Sequence, residues 1–226
     1  MGHKIVSSKS LSEVLSGFEY IIPCQEIVMD QNLPITKDQI FYLSPQEISL
    51  ENFNAPGFIL DIGGGGEGII GQLKGSQVIA IDTHPDELKF SAPGPLKIIM
   101  DARDLKFLDS SLYTATGFFC FMFIRQSDHL QVMREIFRVL DYGGKFFIWD
   151  AILPPRPTAT DKRIIAFKLK VRLPNRVIDT GYGTLWPDQA FDLEYYCALA
   201  EQAGFIILNH RENRQTFSLE LTKQEI

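Results

Sequence analysis

Phe58-Ile59-Leu60-Asp61-Ile62 runs directly into Gly63-Gly64-Gly65-Gly66-Glu67-Gly68, and Ile69, Ile70 and Leu73 follow at helical spacing. A short apolar run, a glycine cluster and an amphipathic return read as a buried strand, a tight loop and a helix. Glycines at such a junction allow positive φ and let a ligand approach the main chain with no Cβ in the way, while the amides at the start of the helix face the bound group.

Working outward, Gln77–Asp82 repeats the buried-strand pattern, and Pro85 opens a helical turn through Asp86-Glu87-Leu88. Leu96–Met100 reads as a third strand ending at Asp101, and Tyr113–Phe119 as a fourth. Asp128–Leu140 is amphipathic, with Leu130, Met133, Ile136, Phe137 and Leu140 on one face, and Asp141-Tyr142-Gly143-Gly144 stops it before a fifth strand, Lys145–Trp149. This alternation over 57–150 predicts a doubly wound, mostly parallel α/β sheet with right-handed crossovers. Beyond it, Ile164–Leu173 alternates apolar and basic residues with period two, Pro174-Asn175 turns, and Arg176–Thr180 returns, which predicts an inserted β-hairpin. A helix over Asp192–Gln202 ending at Gly204 and an antiparallel pair, Phe205–Leu208 with Thr216–Leu221, close the chain. Pro23, Pro34 and Pro45 interrupt the short apolar runs of the first fifty-odd residues, so 1–55 reads as an N-terminal cap segment. The main domain is expected over 56–226, with an insertion at about 154–188.

The chain has 226 residues, is 45% hydrophobic and 22% charged, and carries a formal net charge of −6. One packed domain fits these values; disorder does not. The expected location is the cytoplasm, since no apolar stretch reaches membrane-spanning or signal-peptide length. Cys24, Cys120 and Cys197 lack metal-ligand or disulfide spacing and read as free thiols, and no metal site is expected.

Gly63, Gly65 and Gly68 also satisfy the G-x-G-x-x-G dinucleotide fingerprint, so the loop by itself leaves two cofactor classes open. An acid at three consecutive strand ends, Asp61, Asp82 and Asp101, favours one of them. With Asp61-Ile62-Gly63-Gly64-Gly65, Ile81-Asp82-Thr83 and Asp101-Ala102-Arg103 in place, the sequence resembles the class I S-adenosylmethionine-dependent methyltransferases. Phe137-Arg138-Val139-Leu140-Asp141-Tyr142-Gly143-Gly144 resembles that family's turn before strand five, with Tyr142 where Pro is usual. The resemblance covers about 57–150 and implies a seven-stranded Rossmann-like sheet with an antiparallel C-terminal hairpin strand. It implies S-adenosylmethionine as cofactor, S-adenosylhomocysteine as product, and binding through Asp61, Gly63, Gly64, Gly65, Asp82, Thr83, Asp101, Ala102 and Phe119. Asp82 would take the ribose hydroxyls, Asp101 with the next amide the adenine, and Asp61 the amino group of the methionine end. Glu67 stands where the family commonly has a further glycine.

Methyl transfer to an acceptor needs alignment and exclusion of water more than a dedicated nucleophile. Phe118–Phe123 lacks the N-P-P-Y or D-P-P-Y of amino-directed adenine or glutamine methyltransferases, and a small-molecule acceptor is expected. His129 and Asp150 are the candidates for a general base. Arg156, Lys162, Arg163, Lys168, Lys170, Arg172 and Arg176 cluster in the insertion, where they suit an RNA or other phosphate-bearing partner, a pocket cover, or a homodimer contact. A nicotinamide-dependent oxidoreductase and a non-catalytic cofactor-binding scaffold of the same fold are the competing readings.

Overall fold

A computed structural model describes residues 36–225. Its strands are β1 (Ile40–Tyr42), β2 (Gln46–Ser49), β3 (Ile59–Ile62), β4 (Val78–Asp82), β5 (Leu96–Ile99) and β6 (Leu112–Phe118). The remainder are β7 (Leu140–Ala151), β8 (Ile164–Leu173), β9 (Arg176–Leu185), β10 (Ile206–Asn213) and β11 (Thr216–Thr222). The α-helices are α1 (Ile69–Lys74), α2 (Pro85–Phe90), α3 (Gln126–Val139) and α4 (Leu193–Ala203). Two compact units result: one joins the described residues up to Leu50 with Arg156–Trp186, and the other joins Glu51–Pro155 with the chain from Pro187.

The larger unit is built on a seven-stranded sheet in the order β10-β11-β7-β6-β3-β4-β5. β7-β6-β3-β4-β5 are parallel, and β11 pairs antiparallel with both β7 and β10. β3 and β4 are buried along their whole length, as unbroken Ile/Leu/Val runs demand of strands covered on both faces. From β3 the chain moves outward to β4 and β5 and then crosses back to β6 on the other flank of β3, so the strand order reverses between β3 and β6. In open α/β sheets the crevice outside the carboxyl ends at such a reversal is where ligands bind.

Helix α3 reads differently on its two faces. His129, Val132, Met133, Ile136 and Val139 are buried. Asp128, Gln131, Glu135 and Arg138, at spacings of three and four, form a polar stripe that grips the connection between β5 and β6. Leu105 N–H donates to Glu135 (2.8 Å), and Arg138 donates to the carbonyls of Leu105 (2.8 Å) and Phe107 (3.0 Å). The Arg138 of the predicted turn motif thus holds a segment that lacks regular structure of its own.

The terminal elements differ in extent from the sequence reading. Asp141–Gly144 lies inside β7, where the β6 pairing shifts register between Leu112 and Thr114 and Gly143 takes φ +76°. The stop to α3 is therefore the entry bulge of the next strand. Asp192 caps α4 by accepting from Tyr195 N–H at 2.9 Å, and Gly204 at φ +103° ends it.

In the smaller unit β8 is central: β9 pairs antiparallel along its full length, while β1 and β2 run parallel to different parts of its other edge. Its register places Lys168 and Arg172 in solvent while Ile164–Phe167, Leu169, Val171 and Leu173 are buried. The part of the expected N-terminal cap before residue 36, including Cys24, lies outside the described residues.

Tyr196 on α4 is fully buried among Phe121, His129 and Phe217, and its hydroxyl has no hydrogen-bond partner among the described residues. A buried hydroxyl that meets no acceptor costs its desolvation without return. Tyr196→Phe is therefore expected to leave stability unchanged or raise it by about 1 kcal/mol; denaturant unfolding that shows a loss of that size would reveal a partner for the hydroxyl.

Candidate functional site

Four chain segments meet at the carboxyl ends of β3, β4 and β6. The loop after β3 turns at Gly63, where φ is +67°, and a Cβ there would lie 2.6 Å from Cys120 Cβ, directly after β6. A Cβ at Gly64 would fall 2.7 Å from Asp61 Oδ2 and 2.8 Å from Ala80 Cβ, and one at Gly65 would fall 2.7 Å from Asp82 Oδ2 and from Glu87 Cβ. The main chain therefore runs in contact with two carboxylates on neighbouring strands, and only glycine fits. Gly64 N–H donates to Ile81 O (3.0 Å) and Gly66 N–H to Glu87 O (3.1 Å), which tie the loop to β4 and α2.

Asp61 is buried, and Thr116 Oγ1 donates to its Oδ1 at 2.8 Å. Burial pushes its pKa up to about 7, the Thr116 bond opposes that rise, and nearby Asp82 adds to it. Asp82 is also buried; its Oδ1 accepts from His84 N–H at 2.9 Å, and its Oδ2 lies against Gly65. Thr83 is exposed, with its hydroxyl 3.0 Å from His84 Nδ1. Asp82 is in register with Ile99, and Met100 N–H donates to Asp82 O at 3.0 Å, so Asp101 and Ala102 follow at the sheet edge beside it. The Asp101 carboxylate faces Arg103, whose guanidinium holds it below the usual carboxylate range. Phe119 is buried at φ +48° with its ring 4.9 Å from that of Phe118, a left-handed conformation rare outside glycine.

Both candidate bases are committed elsewhere. Asp150, at the end of β7, is fully buried and accepts from Phe121 N–H (2.9 Å) and Ala151 N–H (2.8 Å), so it fastens the turn after β6. Burial raises its pKa to about 7 against those backbone bonds. His129 Nε2 lies 3.0 Å from the carbonyls of both Phe121 and Ile124 and therefore carries the proton, which leaves Nδ1 to accept from Tyr195 OH at 2.8 Å. Burial lowers its pKa, and in this arrangement the ring is a neutral brace between α3, α4 and the turn.

Thr116, Cys120, Glu87 and Arg103 were not singled out by the sequence reading as cofactor-site residues. Thr116 had a visible signal, a hydroxyl inside an otherwise apolar strand. Cys120 and Glu87 had none, because only the crossing of loop, strand end and helix brings them to the glycines. The Cys120 thiol is buried, and desolvation together with nearby Asp150, Asp61 and Asp82 pushes its pKa up, so it stays protonated.

A doubly wound sheet whose switch point carries a glycine loop and strand-end acids defines a nucleotide-cofactor-binding α/β protein. Residues 60–148 match the model of the methyltransferase domain family. Among curated proteins, none matches the sequence. A solved S-adenosylmethionine-dependent methyltransferase of Methanosarcina mazei superposes with a TM-score of 0.54 at 19% identity, over 76% of this chain and 94% of its own. A Pyrococcus horikoshii protein gives 0.54 at 17% identity, over 74% and 82%. A chain of the complex between the Haloferax volcanii Trm112 methyltransferase activator and a methyltransferase gives 0.52 at 13%, over 77% and 85%. These likenesses show a methyltransferase-like fold, with residues 60–148 resembling the methyltransferase domain. Among the described residues no helix is long and apolar enough to cross a membrane.

The raised carboxyl of Asp61 has a thermodynamic consequence. Its folded pKa, about 7, lies above the ordinary carboxyl value of 3.8, so between these pH values the folded state holds more protons than the unfolded one. The associated stability is fully present below pH 4 and is lost as pH rises through 7. Asp61→Asn should therefore gain on the wild-type protein between pH 5 and pH 8 by at least about 1.4 kcal/mol, the worth of one pKa unit. Denaturant unfolding at the two pH values measures it, and a pH-independent difference would mean that Asp61 is ionised throughout.

Proposed function

We propose that the chain transfers a methyl group from S-adenosylmethionine to a small-molecule acceptor, with the cofactor held at the carboxyl ends of β3, β4 and β5. The observation that carries this reading is the contact of Gly64 and Gly65 with the Asp61 and Asp82 carboxylates, so close that a Cβ at either glycine would overlap a carboxylate oxygen. Asp82, buried but with its Oδ2 on the loop, suits a ribose diol. Asp61 suits an ammonium: a cation beside it favours the ionised carboxylate and overcomes the burial that now opposes it. Gly63 and Gly65 suit the carboxylate end of the cofactor, Asp101 and Ala102 the adenine, and Thr83 and Phe119 border the same strand ends.

The bound cofactor supplies a carbon already activated by its sulfonium. What the protein contributes is alignment and dryness: the aromatic turn Phe118–Phe121 after β6 is buried and excludes water on the acceptor side. Because Asp150 and His129 brace that turn, their proposed role is to hold its shape, and an acceptor that loses its proton readily needs no further base.

A small acceptor is favoured over RNA by the ion pairs of the inserted hairpin. Arg172 pairs with Glu47, Lys170 Nζ lies 3.8 Å from Asp179 Oδ1, and Lys162 Nζ donates to Ile40 O at 2.9 Å. Arg172 and Lys170, two of the seven basic side chains, are thus paired with acids within their own unit, and Lys162 is held by a backbone carbonyl. We assign 36–50 and 156–186 as an accessory unit that serves as a homodimer contact, and place the protein in the cytoplasm.

Calorimetry with S-adenosylhomocysteine, set against NAD and NADP, tests the assignment. Micromolar binding of the homocysteine compound alone is expected, with Asp82→Ala weakening it by about tenfold or more, the scale of a lost charge-assisted hydrogen bond. The affinity should also rise with pH from 6 to 8, because binding favours ionised Asp61, and Asp61→Asn should flatten that rise. Binding of a dinucleotide instead, or an unchanged affinity in Asp82→Ala, refutes the proposal.

A further inference from the structure

The turn that follows β5 is held more firmly than an exposed loop requires. Asp101 Oδ1 accepts from Arg103 N–H (2.9 Å) and Nε (3.0 Å), and Oδ2 accepts from the same Nε (3.0 Å) and from Nη2 (2.6 Å). Arg103 is fixed in turn by helix α3: its Nη1 donates to Asp128 Oδ2 at 3.0 Å, and its carbonyl accepts from Gln131 Nε2 at 3.1 Å. Arg125 donates to the same Asp128 oxygen at 3.3 Å, so the network ends in a second guanidinium.

An ionised carboxylate offers about four acceptor positions and no donor. Three N–H groups of Arg103, from its backbone, Nε and Nη2, occupy most of them and lock the rotation of the carboxylate. What remains on Oδ2 is a position that only a donor can use. An exocyclic amine is such a donor; a ring carbonyl at the same place would set oxygen against oxygen.

We propose that Arg103 is a specificity residue, orienting Asp101 so that the site takes a 6-amino purine and refuses a 6-oxo purine. The inference rests on the reading that Asp101 receives the adenine of the cofactor. It goes beyond it in assigning the selectivity to a side chain that need not touch the base. Two features separate this role from a structural one. Arg103 and Asp101 are both substantially exposed, and exposed pairs contribute little to folding. The connection itself is independently gripped by Glu135 and Arg138 further along α3, so it stays in place without Arg103.

The test is calorimetric, with S-adenosylhomocysteine and its 6-oxo counterpart S-inosylhomocysteine titrated into the wild-type full chain, Arg103→Ala and Arg103→Gln. A site that hydrogen-bonds its ligand rejects the mismatched analogue strongly, so a wild-type preference of about tenfold or more for the amino compound is expected. In both variants the preference should fall to about threefold or less, with melting temperatures within a few degrees of the wild type. A preference that persists in both variants, or that falls only together with the melting temperature, overturns the role of Arg103. Failure of the underlying reading looks different: the wild-type chain would then bind neither compound, or Asp101→Ala would leave the affinity for S-adenosylhomocysteine untouched.

Discussion

At Gly64 and Gly65 the main chain passes so close to the carboxylates of Asp61 and Asp82 that a single added carbon would overlap each of them. Much of the site depends on this contact. Asp61 stands on β3 and Asp82 on β4, and the parallel register of the two strands, Asp61 opposite Ala80, staggers the acids along the crevice. The loop passes each in turn before entering α1. A longer side chain at either glycine would push the loop out of the crevice or the acids out of register. Burial first, and the nearby Asp82 second, drive Asp61 toward its neutral form against the hydrogen bond that Thr116 donates to it. Carboxylates pressed toward neutrality by burial are suited to a ligand that brings positive charge.

Around this centre, polar groups in the interior serve as fasteners. Asp150 spends its carboxylate on backbone amides of the turn after β6, and His129 spends both ring nitrogens bracing the same turn against α4. The turn they hold contains Phe119 in a left-handed conformation and Cys120 packed on Gly63. Strain of this kind persists only where the surroundings over-determine it, and here a buried carboxylate and a neutral imidazole do so. On the other flank, the polar stripe of α3 performs the equivalent task for the segment between β5 and β6.

The doubly wound sheet was legible in the sequence because its strands are short, wholly apolar runs separated by helical periodicity, and β3, β4 and β5 fall within a residue or two of where those runs end. The closing antiparallel pair was legible as well, since alternation and turn residues mark its strands. The pairing of β1 and β2 with β8 was not: these strands are only three and four residues long, and their partner lies more than a hundred residues away. Nor was the bulge at Asp141–Gly144, whose glycines read equally well as a turn or as the distorted start of β7.

The three strand-end acids and the glycine loop were determined by sequence alone, because their chemistry follows from residue type and from position at the end of an apolar run. Tertiary structure decided which other groups reach them. Thr116, Cys120, Glu87 and Arg103 enter the site, and Asp150 and His129 are withdrawn into backbone hydrogen bonds. The physical reason is one of distance along the chain. A strand pattern specifies which residues face inward, while the partner each buried polar group finds depends on how separate segments cross, and no local pattern records that.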